Sequence, residues 1–99
     1  MTNQLNNLTE AESERLFLLM EECAEVQQVI GKILRFGYAN VNPANPGPDN
    51  RTKLETELGD LHLIVDMMFK GSDINEINVE NYKCEKWKRI NKYLVHQNV

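Results

Sequence analysis

Every proline in the chain falls between Tyr38 and Asn50, in the run YANVNPANPGPDN (Pro43, Pro46 and Pro48). Proline lacks the backbone N–H that a helix needs, and its ring clashes with the turn before it. On either side the sequence is free of proline and repeats apolar residues at helical spacing. The pattern therefore predicts a long helix, a break, and further helix. A connector of this length without structure of its own is unusual in a small domain and is often functional.

Local signals set the expected boundaries. Thr9 and Glu12 form a capping-box pattern, so the first helix is expected to open there and run to about Phe36, with Gly37 as its stop. Its apolar set is Leu16, Leu19, Met20, Cys23, Val26, Ile30, Ile33 and Leu34. At 1.5 Å per residue it would be roughly 40 Å long, which favours a bundle over a compact globule. A second capping-box pattern, Thr52 with Glu55, puts the next helix start near Asn50 to Thr52 and its end near Lys70, before Gly71. Its apolar face is Leu54, Leu58, Leu61, Ile64, Val65, Met68 and Phe69. Ser72 to Ile77 reads as a turn or short helical piece, and a last helix is expected from about Asn78 to Leu94. The expected fold class is all-α: a bundle of three main helices plus that short piece, one domain over residues 1–99. Residues 1–8 form a flexible lead and 38–50 the Pro-rich loop. A chain of 99 residues buries a thin core, so completion as a homodimer or homotetramer is expected.

Composition narrows the class. A net charge of −4 and a pI near 5.1 argue against a protein whose main work is gripping a nucleic acid polymer. No apolar run is long enough for a membrane span. The opening MTNQLNNLTE holds no apolar signal core, and Cys23 and Cys84 form no CxxC pattern, so a reducing cytoplasm is the expected compartment.

Two carboxylate pairs interrupt the apolar faces: Glu22 and Glu25 in EECAEV, and Glu57 and Asp60 in ELGDL. Each pair has i, i+3 spacing, which sets its members about 60° apart on one face of one helix. Glu21 lies close to Glu25 on the wheel, whereas Glu55 and Asp66 project away and should be solvated. Pairs of this kind are commonplace on solvated helix faces. Here both interrupt apolar stripes of neighbouring helices, where isolated negative charge is costly to bury. Four acids aimed at one interior need a doubly positive ion among them, and hard oxygen donors suit magnesium, with manganese as a substitute. Gly59 stands mid-helix beside them, where its backbone cost calls for a reason such as close helix approach.

On the third helix Lys83 and Lys86 lie near the Val79–Ile90 stripe, either snorkelling at the core edge or facing an anion. Gln28, Lys32 and Arg35 continue the face begun by Glu21 and Glu25, as an extension of the site or as a solvated stripe. Phe36 and Tyr38 stand at the mouth of the loop, and Trp87 and Tyr93 suit either a core or an interface. Cys23 reads as a small core residue, and His62 as a packed or supporting histidine.

The run Glu21-Glu22-Cys23-Ala24-Glu25-Val26 followed by Glu57-Leu58-Gly59-Asp60-Leu61 resembles the MazG-like branch of the all-α nucleoside triphosphate pyrophosphohydrolases. The segment Glu85-Lys86-Trp87-Lys88-Arg89 is similar to that family's basic-aromatic third helix, and the likeness spans about Leu16 to Leu94. The Pro-rich loop separates the pairs by more residues than is common in that family, which bears on substrate preference. The resemblance implies magnesium-dependent cleavage of a nucleoside triphosphate to the monophosphate and pyrophosphate. It implies Glu22, Glu25, Glu57 and Asp60 as metal ligands. Glu21 or Glu25 is then the candidate catalytic base for the attacking water. Lys83 and Lys86 would hold phosphate, with Lys32 and Arg35 as further substrate contacts, and Phe36 or Tyr38 could stack on the base. Alternatives from the same residues are hydrolysis of another phosphoanhydride such as an alarmone nucleotide, and a non-catalytic nucleotide-sensing or protein-binding helical module.

Overall fold

A computed structural model describes residues 6–44 and 46–97, so the flexible lead expected over residues 1–8 falls outside the described residues as far as residue 5. The architecture is all-α: α1 (Glu10–Phe36), α2 (Asn50–Lys70), α3 (Glu76–Ile90) and a 3-10 turn at Asn91–Tyr93. Helix α1 begins as expected. Glu12 N–H donates to Thr9 Oγ1 at 3.1 Å while Thr9 N–H donates to Glu12 Oε1 at 2.8 Å, closing a capping box. It stops at Gly37, whose φ of 90° is backbone that only glycine adopts without strain.

Helix α2 starts at Asn50, within the expected range, but with a different cap. Its cap is Asp49, whose Oδ1 accepts from Thr52 N–H at 2.8 Å, so the Thr52/Glu55 capping box does not form. A carboxylate at the N-cap satisfies the free donors of the first turn more strongly than threonine does. Two further boundaries shift. The segment from Ser72 takes the turn alternative, and α3 opens at Glu76, ahead of the expected Asn78, with Asn75 as its cap. The short helical element comes instead at the end, at Asn91–Tyr93.

Helices α1 and α2 pack as an antiparallel hairpin, pinned at both ends. At the loop end, Asn50 is 3% exposed and its Nδ2 donates to the carbonyl of Gly37 at 3.0 Å. Arg51 N–H donates to the Tyr38 carbonyl at 2.9 Å, and the Arg51 guanidinium lies 4.8 Å from the Tyr38 ring centre. At the open end, Arg15 makes a two-pronged ion pair with Asp73, Nε to Oδ2 at 2.6 Å and Nη2 to Oδ1 at 2.8 Å. Gly71 leaves room for that guanidinium, because a Cβ there would fall 2.8 Å from Arg15 Cζ.

The buried apolar residues are Val29, Ile64 and Met68, all on the seam between α1 and α2. Only part of the expected α1 core set lies at this seam. Leu16, Met20, Cys23, Ile30 and Leu34 are exposed, while Leu19, Val26 and Ile33 are half-buried. Cys23 is thus not a core residue, and His62 is exposed rather than packed. The physical reason is that α3 makes no more than marginal contact with the hairpin, so one seam is buried where a wider interior was expected. The dimensions agree: the radius of gyration is 17.4 Å, against about 13 Å for a compact chain of this length. Gly59 is exposed and a Cβ on it would meet open space, so close approach of α1 does not account for it. Among the described residues no helix is long and apolar enough to cross a membrane.

Candidate metal centre

The seam that buries Val29 and Ile64 also carries the acids. Seven residues separate Glu22 from Val29 and another seven separate Glu57 from Ile64. Two helical turns bring a side chain back to nearly the same face, so each acid shares the seam with its apolar neighbour. Antiparallel pairing then sets the two acidic stretches side by side. One carboxylate oxygen from each of Glu22, Glu25, Glu57 and Asp60 lies within 4.8 Å of the others. Glu22, Glu25 and Glu57 are half-buried and Asp60 is exposed, so the group opens to solvent on one side.

Electrostatics oppose four charges at this spacing. Burial, with the negative charges of Glu25 and Asp60 behind it, lifts the Glu22 carboxyl above its ordinary value of 4.5. Glu57 is pushed up from 4.5 to about 7, first by a hydrogen bond shared with Glu25, then by burial, then by the surrounding carboxylates. The charges acting most strongly on both residues are negative. When all four are ionised, Oε2 of Glu22 and Oε2 of Glu57 are buried and accept no hydrogen bond. A proton on Glu57 relieves part of this by donating to Glu25.

Carboxylates on exposed helix faces often cluster without any ion, because water solvates each one. Two buried oxygens without a donor are a different condition, since an unmet buried acceptor is costly. An all-carboxylate donor set fits a hard divalent cation such as magnesium or manganese, and these residues can hold one.

Other residues singled out in the sequence fall in two places. Glu21 is exposed beside the four and adds its charge to Glu22 without joining the group. Lys32, Arg35 and Phe36 line a cavity of about 400 Å³ at the loop end of the hairpin, together with Asn40, Val41, Asn42, Pro43, Asn50 and Lys53. Arg35 lies 5.3 Å from the Phe36 ring centre. Lys83 and Lys86 are not brought to the acids within one chain. Both are exposed on α3, and Lys83 Nζ pairs with Glu80 at 3.5 Å. Trp87 and Tyr93 are exposed as well. Lys53 and Asn50 were not singled out in the sequence, although Lys53 stands one turn before Glu57 on the same face.

Compared with protein-family models, with curated proteins and with solved structures, the chain matches none of them.

Proposed function

We propose that this protein is a divalent-cation-dependent hydrolase that cleaves nucleoside triphosphates to the monophosphate and pyrophosphate. The observation that carries the reading is the meeting of Glu22, Glu25, Glu57 and Asp60 within 4.8 Å, with two of their oxygens buried and undonated. The order of the two acidic motifs, and their likeness to the MazG-like pyrophosphohydrolases, supports this choice of reaction.

In this reading Glu22, Glu25, Glu57 and Asp60 hold magnesium, and manganese can replace it. An ion held there would supply positive charge to the phosphates and lower the pKa of the attacking water. Water oxygen bonds to the α-phosphorus, the bond from that phosphorus to the bridging oxygen breaks, and pyrophosphate leaves. The water proton passes to a carboxylate outside the ligand set. Glu21 fits that role, being exposed at the rim; Glu25 fits it only if one of its oxygens is left free. The half-buried walls of the seam restrict bulk water on one side and leave the exposed Asp60 side for substrate entry. A second copy of the chain would cover the apolar surface left on the hairpin by Phe17, Met20 and Leu34.

The test is to incubate the purified protein with a panel of nucleotides, with magnesium and with a chelator, and to follow pyrophosphate and monophosphate release. Magnesium-dependent release is expected, with Glu22→Gln and Asp60→Asn each reducing it by roughly 100-fold or more. No release from any nucleotide removes the hydrolase reading. Unchanged release in both variants removes the assignment of the acids.

A further inference from the structure

The loop-end cavity brings together Lys32 and Arg35 from α1 and Lys53 from α2, and no carboxylate lines it. Among the described residues the ion pairs are Arg15–Asp73 and Lys83–Glu80, so none of the three cations of the cavity is held in an ion pair. Lys32 and Arg35 are exposed and Lys53 is half-buried, so the three positive charges are open to an anion arriving from solution. The wall that encloses them is built: buried Asn50 ties Gly37 to the start of α2, and Asn50 N–H donates to the Asn40 carbonyl at 3.2 Å.

The cavity also stands in a definite relation to the acids. Lys53 is four residues before Glu57, and Lys32 is seven residues after Glu25. These spacings keep each lysine on the face of its acid and displace it toward the loop by roughly 6 Å on α2 and 10 Å on α1. The seam therefore runs from a negative centre to a positive cavity within the length of a polyphosphate chain. A substrate whose reacting phosphorus is held at the acids has its far phosphates within reach of Lys32 and Lys53. Arg35, laid against Phe36, offers a planar fork suited to phosphate oxygens.

We infer that the loop-end cavity is the subsite for the terminal phosphates, so that substrate lies along the seam with its polyphosphate tail toward residues 37–50 and its nucleoside toward the open end of the hairpin. This rests on the hydrolase reading above and adds the direction in which substrate binds. Three phosphates are then favoured over one, because only the longer chain spans both groups.

Calorimetric titration with inorganic tripolyphosphate, at fixed magnesium, tests the subsite without requiring turnover. Binding is expected in the wild type and weakened roughly tenfold or more in Lys32→Gln/Lys53→Gln. The charge-matched control Lys70→Gln/Lys92→Gln, at two exposed lysines outside the cavity, should bind as the wild type does. Equal binding by the wild type and Lys32→Gln/Lys53→Gln overturns the inference. So does a double variant that keeps tripolyphosphate but loses a nucleoside without phosphates, since the cavity would then hold the base. Lysine-dependent tripolyphosphate binding in a protein that hydrolyses no nucleotide supports the subsite while removing the hydrolase reading.

Discussion

Glu25 on α1 and Glu57 on α2 face each other across the helix seam closely enough to share one proton, and that sharing, together with burial and the neighbouring carboxylates, lifts the Glu57 carboxyl to about 7. The acids therefore oppose the fold when ionised and alone. The sign follows from linkage. Glu57 holds its proton more tightly folded than unfolded, so its contribution is complete below its ordinary value of 4.5 and is lost as pH rises through about 7. Glu22 is raised as well and acts in the same direction. Asp73 is held below its ordinary value of 3.8 by the Arg15 guanidinium, so its contribution is present above that value and lost as pH falls. Chelator-treated protein should have its highest melting temperature between about pH 4 and 6 and a lower one at pH 8. A melting temperature that climbs steadily from pH 5 to pH 8 would contradict this arrangement.

Magnesium should reverse the alkaline loss, because the same ionised carboxylates become its ligands. At about a hundred times its Kd, a bound ion adds about 2.7 kcal/mol to stability. The shift on adding magnesium should be large at pH 8 and small at pH 5, where protons compete for the acids. Glu57→Gln keeps the shape and removes one charge. Its chelator-treated form should melt above the wild type at pH 8 and gain little from magnesium. Thermal melts of both proteins, with magnesium and with chelator, give the comparison directly.

The ion pair at the open end should matter far more than the one on α3. Arg15 and Asp73 are half-buried, joined by two short hydrogen bonds, and separated by 58 residues of chain. Lys83 and Glu80 are exposed neighbours on one helix. Exposed pairs of that kind add little, since water and salt screen them. Asp73→Asn is expected to lower the melting temperature clearly, and Glu80→Gln to leave it within error of the wild type. Gly71→Ala should cost less than Asp73→Asn, because the atoms its Cβ would meet are the mobile end of the Arg15 side chain, which can shift and keep its carboxylate.

Much of this fold is written in local patterns. Thr9 and Glu12 mark the start of α1 because a capping box needs only neighbours, and Gly37 marks its end because only its backbone takes that turn comfortably. The four acids were legible for a related reason, as i, i+3 spacing fixes a common face whatever else happens. Cys23 and Val29 were not. Which part of a broad apolar face becomes the seam depends on where α2 lies, and one step around the helix exchanges a core residue for an exposed one. Arg15 and Asp73 meet across 58 residues, and nothing near either one signals the other. The basic cavity was half legible: Lys32 and Arg35 stood on the acidic face, but Lys53 joins them only once the loop folds back.

Gly59 separates two accounts of the acidic helix. It sits in the interior of α2 with open space where a Cβ would go, so alanine should stabilise the isolated chain by about 0.5–1 kcal/mol through lower chain entropy. Gly59→Ala should then raise the melting temperature by several degrees in dilute solution. If the variant is instead no more stable, or loses activity while remaining folded, the space beside Asp60 is used by substrate or by a second copy. Melting curves and nucleotide turnover on the same preparation distinguish these results.

Asn50 links the loop to the chemistry. Its side chain is buried at the start of α2 and donates to the Gly37 carbonyl, closing the turn that carries Asn40, Val41 and Asn42 over the basic cavity. Removing the amide takes away that hydrogen bond, at an expected cost of about 0.5–1.5 kcal/mol, since water can reach the Gly37 carbonyl. The consequence for binding should be selective. The acids lie further down the seam on residues the loop does not hold, so Asn50→Ala should bind magnesium with nearly wild-type affinity. The cavity walls depend on the tether, so affinity for tripolyphosphate should fall even at temperatures where the variant is fully folded. Asn50→Asp offers a sharper contrast, because it replaces the donor with an acceptor that repels the Gly37 carbonyl and adds a negative charge beside Lys53. Titrations of both variants with magnesium and then with tripolyphosphate should separate the two ends of the seam, with the second ligand affected and the first spared.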